Sequence, residues 1–218
     1  MKNLILTTLL IIITLGFSSC TQDDTTFLEE PTAEDLLKSF NLNKNSKGDF
    51  SLDYQLGTGV SADNVLDPKM NTSNIYLYSS ETSQTRGMNE ALTIQDGQLK
   101  VNFNNTESEE VHSITVLDDD IKTRGQENEN LQNWGVSGNG DGTFDLNFAV
   151  TDGVGVDFIY DGDRNVYEVR LTEDANATQA EFVQTFTKEE GIALNIEFVN
   201  NVIQKNAQQE RKPKLIIE

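Results

Sequence analysis

The sequence predicts an all-β protein: two tandem immunoglobulin-like β-sandwich units arising from an internal repeat, with a short N-terminal helix. Three observations carry that expectation. Apolar residues alternate with polar ones at a period of two, as in Phe144, Leu146, Phe148 and Val150 against Asp145, Asn147 and Ala149, which is the pattern of a half-buried strand. About seven such short runs fall in each half of the chain, the profile of an immunoglobulin-like sandwich. Finally, the stretch GDFSLDYQLGTGV at residues 48–60 returns as GTFDLNFAVTDGV at residues 142–154.

The repeat holds an offset of 94 along the chain. Gly48, Phe50, Leu52, Gly59 and Val60 meet Gly142, Phe144, Leu146, Gly153 and Val154. Upstream, Leu37, Phe40 and Leu42 fall on Leu131, Trp134 and Val136; downstream, after a one-residue slip, Leu99, Val101 and Phe103 fall on Leu194, Ile196 and Phe198. A single match between alternating strands is cheap, but a sustained offset marks duplication. The expected organisation is a signal peptide at residues 1–19, a tether at 20–31, one sandwich unit at 32–120 and a second at 121–218.

Taken in order, Thr32, Ala33, Glu34 and Asp35 read as a capping box ahead of Leu36, Leu37 and Phe40, which predicts a helix over residues 33–40. Residues 118–129 are polar without hydrophobic period and read as the linker. In the second unit, strands are expected at residues 144–150, 154–160, 167–171, 182–186, 192–198 and 215–217. The turn Asp161-Gly162-Asp163-Arg164-Asn165 joins two of them as a hairpin.

The N-terminus speaks to location. After Lys2 the chain is apolar from Leu4 to Phe17, then reads Ser18-Ser19-Cys20. At about 1.5 Å per residue this run covers roughly 21 Å, short of the ~30 Å hydrocarbon core, so it reads as a cleaved secretory signal. The junction resembles the lipobox of bacterial lipoproteins, with Phe17 where that family usually has Leu. The resemblance implies that Cys20 is lipidated and becomes the mature N-terminus. The TQDDTT that follows resembles the surface-export signal of Bacteroidetes-type lipoproteins, and Asp24-Thr25-Thr26 their short O-glycosylation motif. The export signal implies an outer membrane protein facing the cell exterior. Cys20 is also the only cysteine, so no internal disulfide is possible.

The formal net charge of −20 excludes nucleic acid as a partner and repels lipid phosphates. Membrane attachment therefore falls to the lipid anchor. Catalytic patterns are thin. The lone His112 sits in VHSITVL on one face with Ile114 and Val116 and reads as structural. No Gly-x-Ser-x-Gly elbow and no glycine-rich phosphate loop occurs. The acidic stretches at residues 139–145 and 161–165 invite calcium, but neither has the Gly and Glu spacing of an EF-hand, and turn chemistry explains both. No cofactor or metal is expected.

Two residues stand out as interface candidates. Setting Tyr76 and Tyr78 against Tyr167 and Val169 turns both tyrosines inward. Ile75 and Leu77 then take the positions of Val166 and Glu168 on the outer face, an exposed apolar pair awaiting a cover. The functional expectation is a non-enzymatic, lipid-anchored binding protein of the cell envelope with a protein or glycan ligand. Its rivals are a surface glycan-binding lipoprotein, which needs exposed aromatics in loops at one end, and a carboxylate-dependent hydrolase, which needs two carboxylates converging in a pocket.

Overall fold

Fourteen strands form two sheets in the computed structural model, which describes residues 36–80, 86–118, 130–178, 180–201 and 210–218. The first half supplies β1 (Leu37–Lys44), β2 (Phe50–Leu56), β3 (Val60–Asp67), β4 (Thr72–Ser79), β5 (Gly87–Leu92), β6 (Gln98–Asn105) and β7 (Val111–Leu117). The second supplies β8 (Leu131–Gly138), β9 (Thr143–Val150), β10 (Val154–Asp161), β11 (Val166–Glu173), β12 (Glu181–Thr187), β13 (Leu194–Asn200) and β14 (Glu210–Ile217). The proposed signal peptide, the tether, Cys20 and residues 119–129 of the expected linker lie outside the described residues.

The six-stranded sheet runs β12-β9-β8-β1-β2-β5 and the eight-stranded sheet β10-β11-β13-β14-β7-β6-β4-β3. Alternation does the sorting: residues such as Leu52, Tyr54, Ile75, Val101, Leu146, Val169 and Phe198 point between the sheets into a single buried cluster that takes in both halves. Each such side chain contributes about 1.5–3 kcal/mol of burial. Residues Pro31–Glu218 form one compact unit. The two halves do not stand as separate sandwiches, because β1 pairs with β8 and β7 with β14, so both sheets run through the boundary.

The seam is self-complementary. In the β1–β8 ladder Phe40 faces Gly138, Asn41 faces Ser137, Leu42 faces Val136, Asn43 faces Gly135 and Lys44 faces Trp134. Adding 94 to one member of each pair regenerates the same ladder, with Leu42–Val136 mapping onto itself. That is the register of a two-fold contact, of the kind usually formed between identical subunits. Leu42 and Val136, at its centre, are 0% exposed.

Two sequence expectations change here. Leu37 and Phe40 belong to strand β1, not to a helix, while residues 32–35 lie outside the described part. Their three-residue spacing comes from a bulge between Leu37 and Ser39 that turns both side chains to the core. The equivalent bulge sits between Leu131 and Asn133, ahead of Trp134. In addition, β4 pairs with β6, and β11 with β13, in parallel. An immunoglobulin sandwich is built from antiparallel sheets, so the topology departs from that pattern at the same place in each half. The β3–β4 and β10–β11 hairpins match as well: each turns through an asparagine with positive φ, Asn71 (48°) and Asn165 (49°), a conformation asparagine tolerates better than most residues.

Asp118, expected in the linker, is fully buried at the end of β7. It accepts a bond from Lys44 Nζ at 2.5 Å and so ties the two sheets together near the seam. The opposite sign of crowding holds at Gly138, the repeat counterpart of Lys44. A Cβ there would drive into the Phe40 ring. Gly138→Val is therefore expected to destabilise the protein by about 1–3 kcal/mol through overpacking at the seam. Gly87→Ala, in open space, is expected to shift thermal unfolding only marginally.

Candidate functional site

One transverse row crosses the outer face of the six-stranded sheet from edge to edge. Cross-strand register places Thr185 beside Asp145, Asp145 beside Ser137, Ser137 beside Asn41, Asn41 beside Asp53, and Asp53 beside Asn89. Every strand of the sheet contributes one residue. All six are there for the same local reason: they are the odd members of strands whose even members, such as Leu42, Leu52 and Leu146, are committed to the core.

Their polar groups are linked in three pairs. Thr185 Oγ1 donates to Asp145 Oδ1 at 2.6 Å, Ser137 Oγ to Asn41 Oδ1 at 3.2 Å, and Asn89 Nδ2 to Asp53 Oδ1 at 2.5 Å. At the β1–β2–β5 end the row forms a wall of a groove of about 410 Å³, also lined by Ser39, Gln55 and Gly87. Tyr54 and Met88 complete the lining, which offers amide, hydroxyl and carboxylate groups and, among the described residues, no cation. The two-fold counterpart of this row, Ala91, Ser51, Asn43, Gly135, Asn147 and Val183, is poorer in hydrogen-bonding groups. The two rows occupy positions related by the offset of 94, and only one carries this chemistry.

A second polar cluster lies on the outer face of the eight-stranded sheet. Glu168 and Glu197 face each other across the parallel β11–β13 pair and are both buried. Arg164 Nη1 donates to Glu168 Oε1 at 2.7 Å, and Arg164 Nη2 donates to Glu197 Oε2. Arg170 Nε reaches Glu168 Oε2 at 2.7 Å. The bond that Arg164 donates to Glu197 is the main reason that its guanidinium is held above its ordinary pKa. These carboxylates converge, but each is occupied by an arginine on a sheet face. The matching positions of the first half hold Asn74 and Asn102, and Asn102 Nδ2 donates a hydrogen bond to Asn74 Oδ1 at 3.0 Å.

The sequence-derived candidates land elsewhere. Ile75 and Leu77 are buried in the core at 0% and 1% exposure, so neither forms an outer patch. At the constant offset their counterparts are Val169 and Leu171, which are also buried; the pairing with Val166 and Glu168 was three residues out of step. An odd slip exchanges the two faces of a strand. Consequently it is Tyr76 that faces outward, beside Asp63 and Asn104. Trp134 is in the core, as expected. His112 sits half-buried opposite Phe103 in the β6–β7 ladder, on the face of Ile114 and Val116.

The acidic turns are closed by their own hydrogen bonds. Asp141 Oδ1 accepts from the Thr143 hydroxyl at 2.5 Å and from its backbone N–H at 3.0 Å, which holds the Asp141 carboxyl below the usual carboxylate range. Asp161 Oδ1 accepts from the backbone of Asp163 and Arg164. Among the described residues no three His, Cys, Asp or Glu side chains converge on a point that could hold a metal.

The polar row was invisible in the sequence because each member reads as an ordinary solvated position. Only the register between six strands brings them into line. Comparison with protein-family models, with curated proteins and with solved structures gave no match.

The arginine–glutamate cluster yields a separable expectation. Arg164→Met leaves two neighbouring buried carboxylates short of a partner and should lower the thermal midpoint. Adding Glu197→Gln should restore part of that loss although it is a second substitution, a coupling that a double-mutant cycle reads directly. Additive losses would show that the cluster acts as ordinary surface charge.

Proposed function

We propose that this chain is a non-enzymatic, lipid-anchored binding protein of a bacterial outer membrane, and that it takes its ligand on the outer face of the six-stranded sheet. The observation that carries the reading is the continuous row Thr185–Asp145–Ser137–Asn41–Asp53–Asn89 with the groove at one end. In the same reading, residues 32–120 and 121–218 are two copies of one ancestral half fused across the seam. The signal segment and Cys20 support the anchor and the outward-facing location.

The catalytic alternative has weak support. Asp53 and Asp145 share the row but are three strand spacings apart, roughly 14 Å, against the ~5–10 Å that carboxylate pairs in glycoside hydrolysis use. Glu168 and Glu197 are close but locked to arginine. A second reading, glycan binding, is favoured by the lining itself: amides, hydroxyls and a carboxylate without a cation suit a neutral, hydroxyl-rich ligand and disfavour an anion. Against it, the exposed aromatics among the described residues, Tyr76, Phe158 and Tyr160, sit on β4 and β10 of the other sheet, not in loops around this groove.

Two experiments test the proposal. Cys20→Ser should abolish membrane attachment, leaving a soluble or uncleaved product; a variant that still sediments with membranes after a high-salt wash would sink the anchor. For the site, residues 21–218 are used to capture ligands from outer-membrane extracts and on a panel of neutral oligosaccharides. Asn41→Ala/Asp53→Ala should weaken capture at least about tenfold, the worth of roughly 1.4 kcal/mol, with little change in stability. Ser51→Ala/Asn147→Ala, in the counterpart row, should leave capture intact. Equal capture by all three proteins would remove the groove from consideration.

A further inference from the structure

The two ends of the sandwich, where β3 and β5 close the first half and β10 and β12 the second, occupy equivalent positions and are finished in opposite ways. At the first end a polar latch joins the sheets. Asn64 on β3 donates its amide to Glu90 on β5, Tyr54 Oη donates to Glu90 Oε1 at 3.0 Å, and Ser73 Oγ donates to Asn64 Oδ1 at 2.8 Å. At the second end the counterparts of Asn64, Glu90 and Tyr54 are Phe158, Gln184 and Phe148. Here Phe158 packs edge-on against Phe148, which stacks on Phe182, and Tyr160 lies against Tyr167. The rings do not close the opening: Phe158 remains 40% and Tyr160 53% exposed.

Strand β10 is also open along its backbone. It is terminal in the eight-stranded sheet, and among the described residues no strand pairs with its far side. Natural edge strands are usually blunted by lysine, proline or a bulge. β10 has eight residues in unbroken register with β11 and contains neither lysine nor proline. Its two faces differ. Val156, Phe158 and Tyr160 face the aromatic opening, whereas Asp157, Ile159 and Asp161 face outward. Between Asp152 and Asp174 the hairpin carries seven acidic residues and two arginines, and both arginines are engaged by Glu168 or Glu197. The equivalent hairpin of the first half, residues 58–80, has two acids and one lysine.

We propose that β10 accepts an extended basic segment of a partner protein as a ninth strand of this sheet. Strand addition satisfies the free backbone groups and supplies affinity, while alternate side chains supply specificity. The period of two on β10 fixes what those side chains are. Positions beside Phe158 and Tyr160 take apolar groups, and the intervening positions, beside Asp157 and Asp161, take lysine or arginine. This inference stands independently of the groove on the other sheet.

The test uses the chain with an eight-residue probe of alternating lysine and valine, followed by hydrogen exchange and fluorescence anisotropy. The probe should slow exchange along β10 and leave β3 unchanged. Ile159→Lys should weaken binding at least about tenfold, whereas Val65→Lys, the same position on β3, should not alter it. On the unaltered protein, a glutamate–valine probe and a lysine–valine probe interrupted by proline should both fail, which keeps the result readable even if a variant folds poorly. Equal binding of the glutamate probe, persistence of binding with the proline probe, protection on β3, or no binding of the lysine probe would each overturn the proposal. Concentration-dependent dimers abolished by Ile159→Lys would instead assign the edge to a second copy of this chain.

Discussion

The antiparallel contact of β1 with β8 is the constraint on which the rest of the architecture depends. It places the two-fold-like centre at Leu42 and Val136 and makes the β7–β14 pairing its necessary companion in the opposite sheet. Close approach is possible because Gly138 leaves room for the Phe40 ring and Gly135 leaves room for Asn43. At the counterpart of Gly138 stands Lys44, which reaches past the seam to the buried carboxylate of Asp118. A buried ion pair is weak evidence of net stabilisation, but removing either member would strand the other, so it fixes how the sheets are joined.

Sharing both sheets changes what each half must supply. Each half contributes four strands to one sheet and three to the other, a small core by itself. Fused, they bury a single cluster of apolar residues and cover the edges of β1, β7, β8 and β14 that separate halves would expose. The surfaces are then free to diverge. The row through Asn41 and Asp53 carries hydrogen-bonding groups, while its counterpart through Asn43 and Gly135 serves the packing of the seam.

Much of this fold was legible in the sequence, and the misses have physical causes. Alternation located the strands, and the offset of 94 matched β1 to β8, β3 to β10 and β4 to β11 residue for residue. Leu37 and Phe40 imitated a helical spacing because a bulge brings residues three apart to one side of a strand. Ile75 and Leu77 were assigned to the outer face by a slip of three, an odd number, in a protein whose side chains alternate with period two. The seam left no signature, since a strand pairing with its own repeat has the same hydrophobic pattern as one pairing with a hairpin neighbour. The polar row was hidden for a related reason: it is a property of six registers together, and none of its members departs from what a solvated strand position allows.

Fusion at the seam leaves four edge strands, β3 and β5 at one end and β10 and β12 at the other, and each end must manage its own opening. At the first, burial and the Glu90 carboxylate push the Tyr54 phenol well above the ordinary tyrosine range, so it stays protonated and donates into the latch. Tyr54 thus favours folding at and below neutral pH, and its contribution fades only as alkaline conditions ionise the phenol of the unfolded chain. Nothing comparable is built at the second end, where Phe148 replaces Tyr54 and Phe158 replaces Asn64. A sandwich that needed only to be soluble would have closed both ends alike, because exposed aromatics beside an unpaired backbone invite self-association. The acids that surround β10 limit contact between like copies, since both would bring the same negative charge, while leaving the edge open to a basic partner.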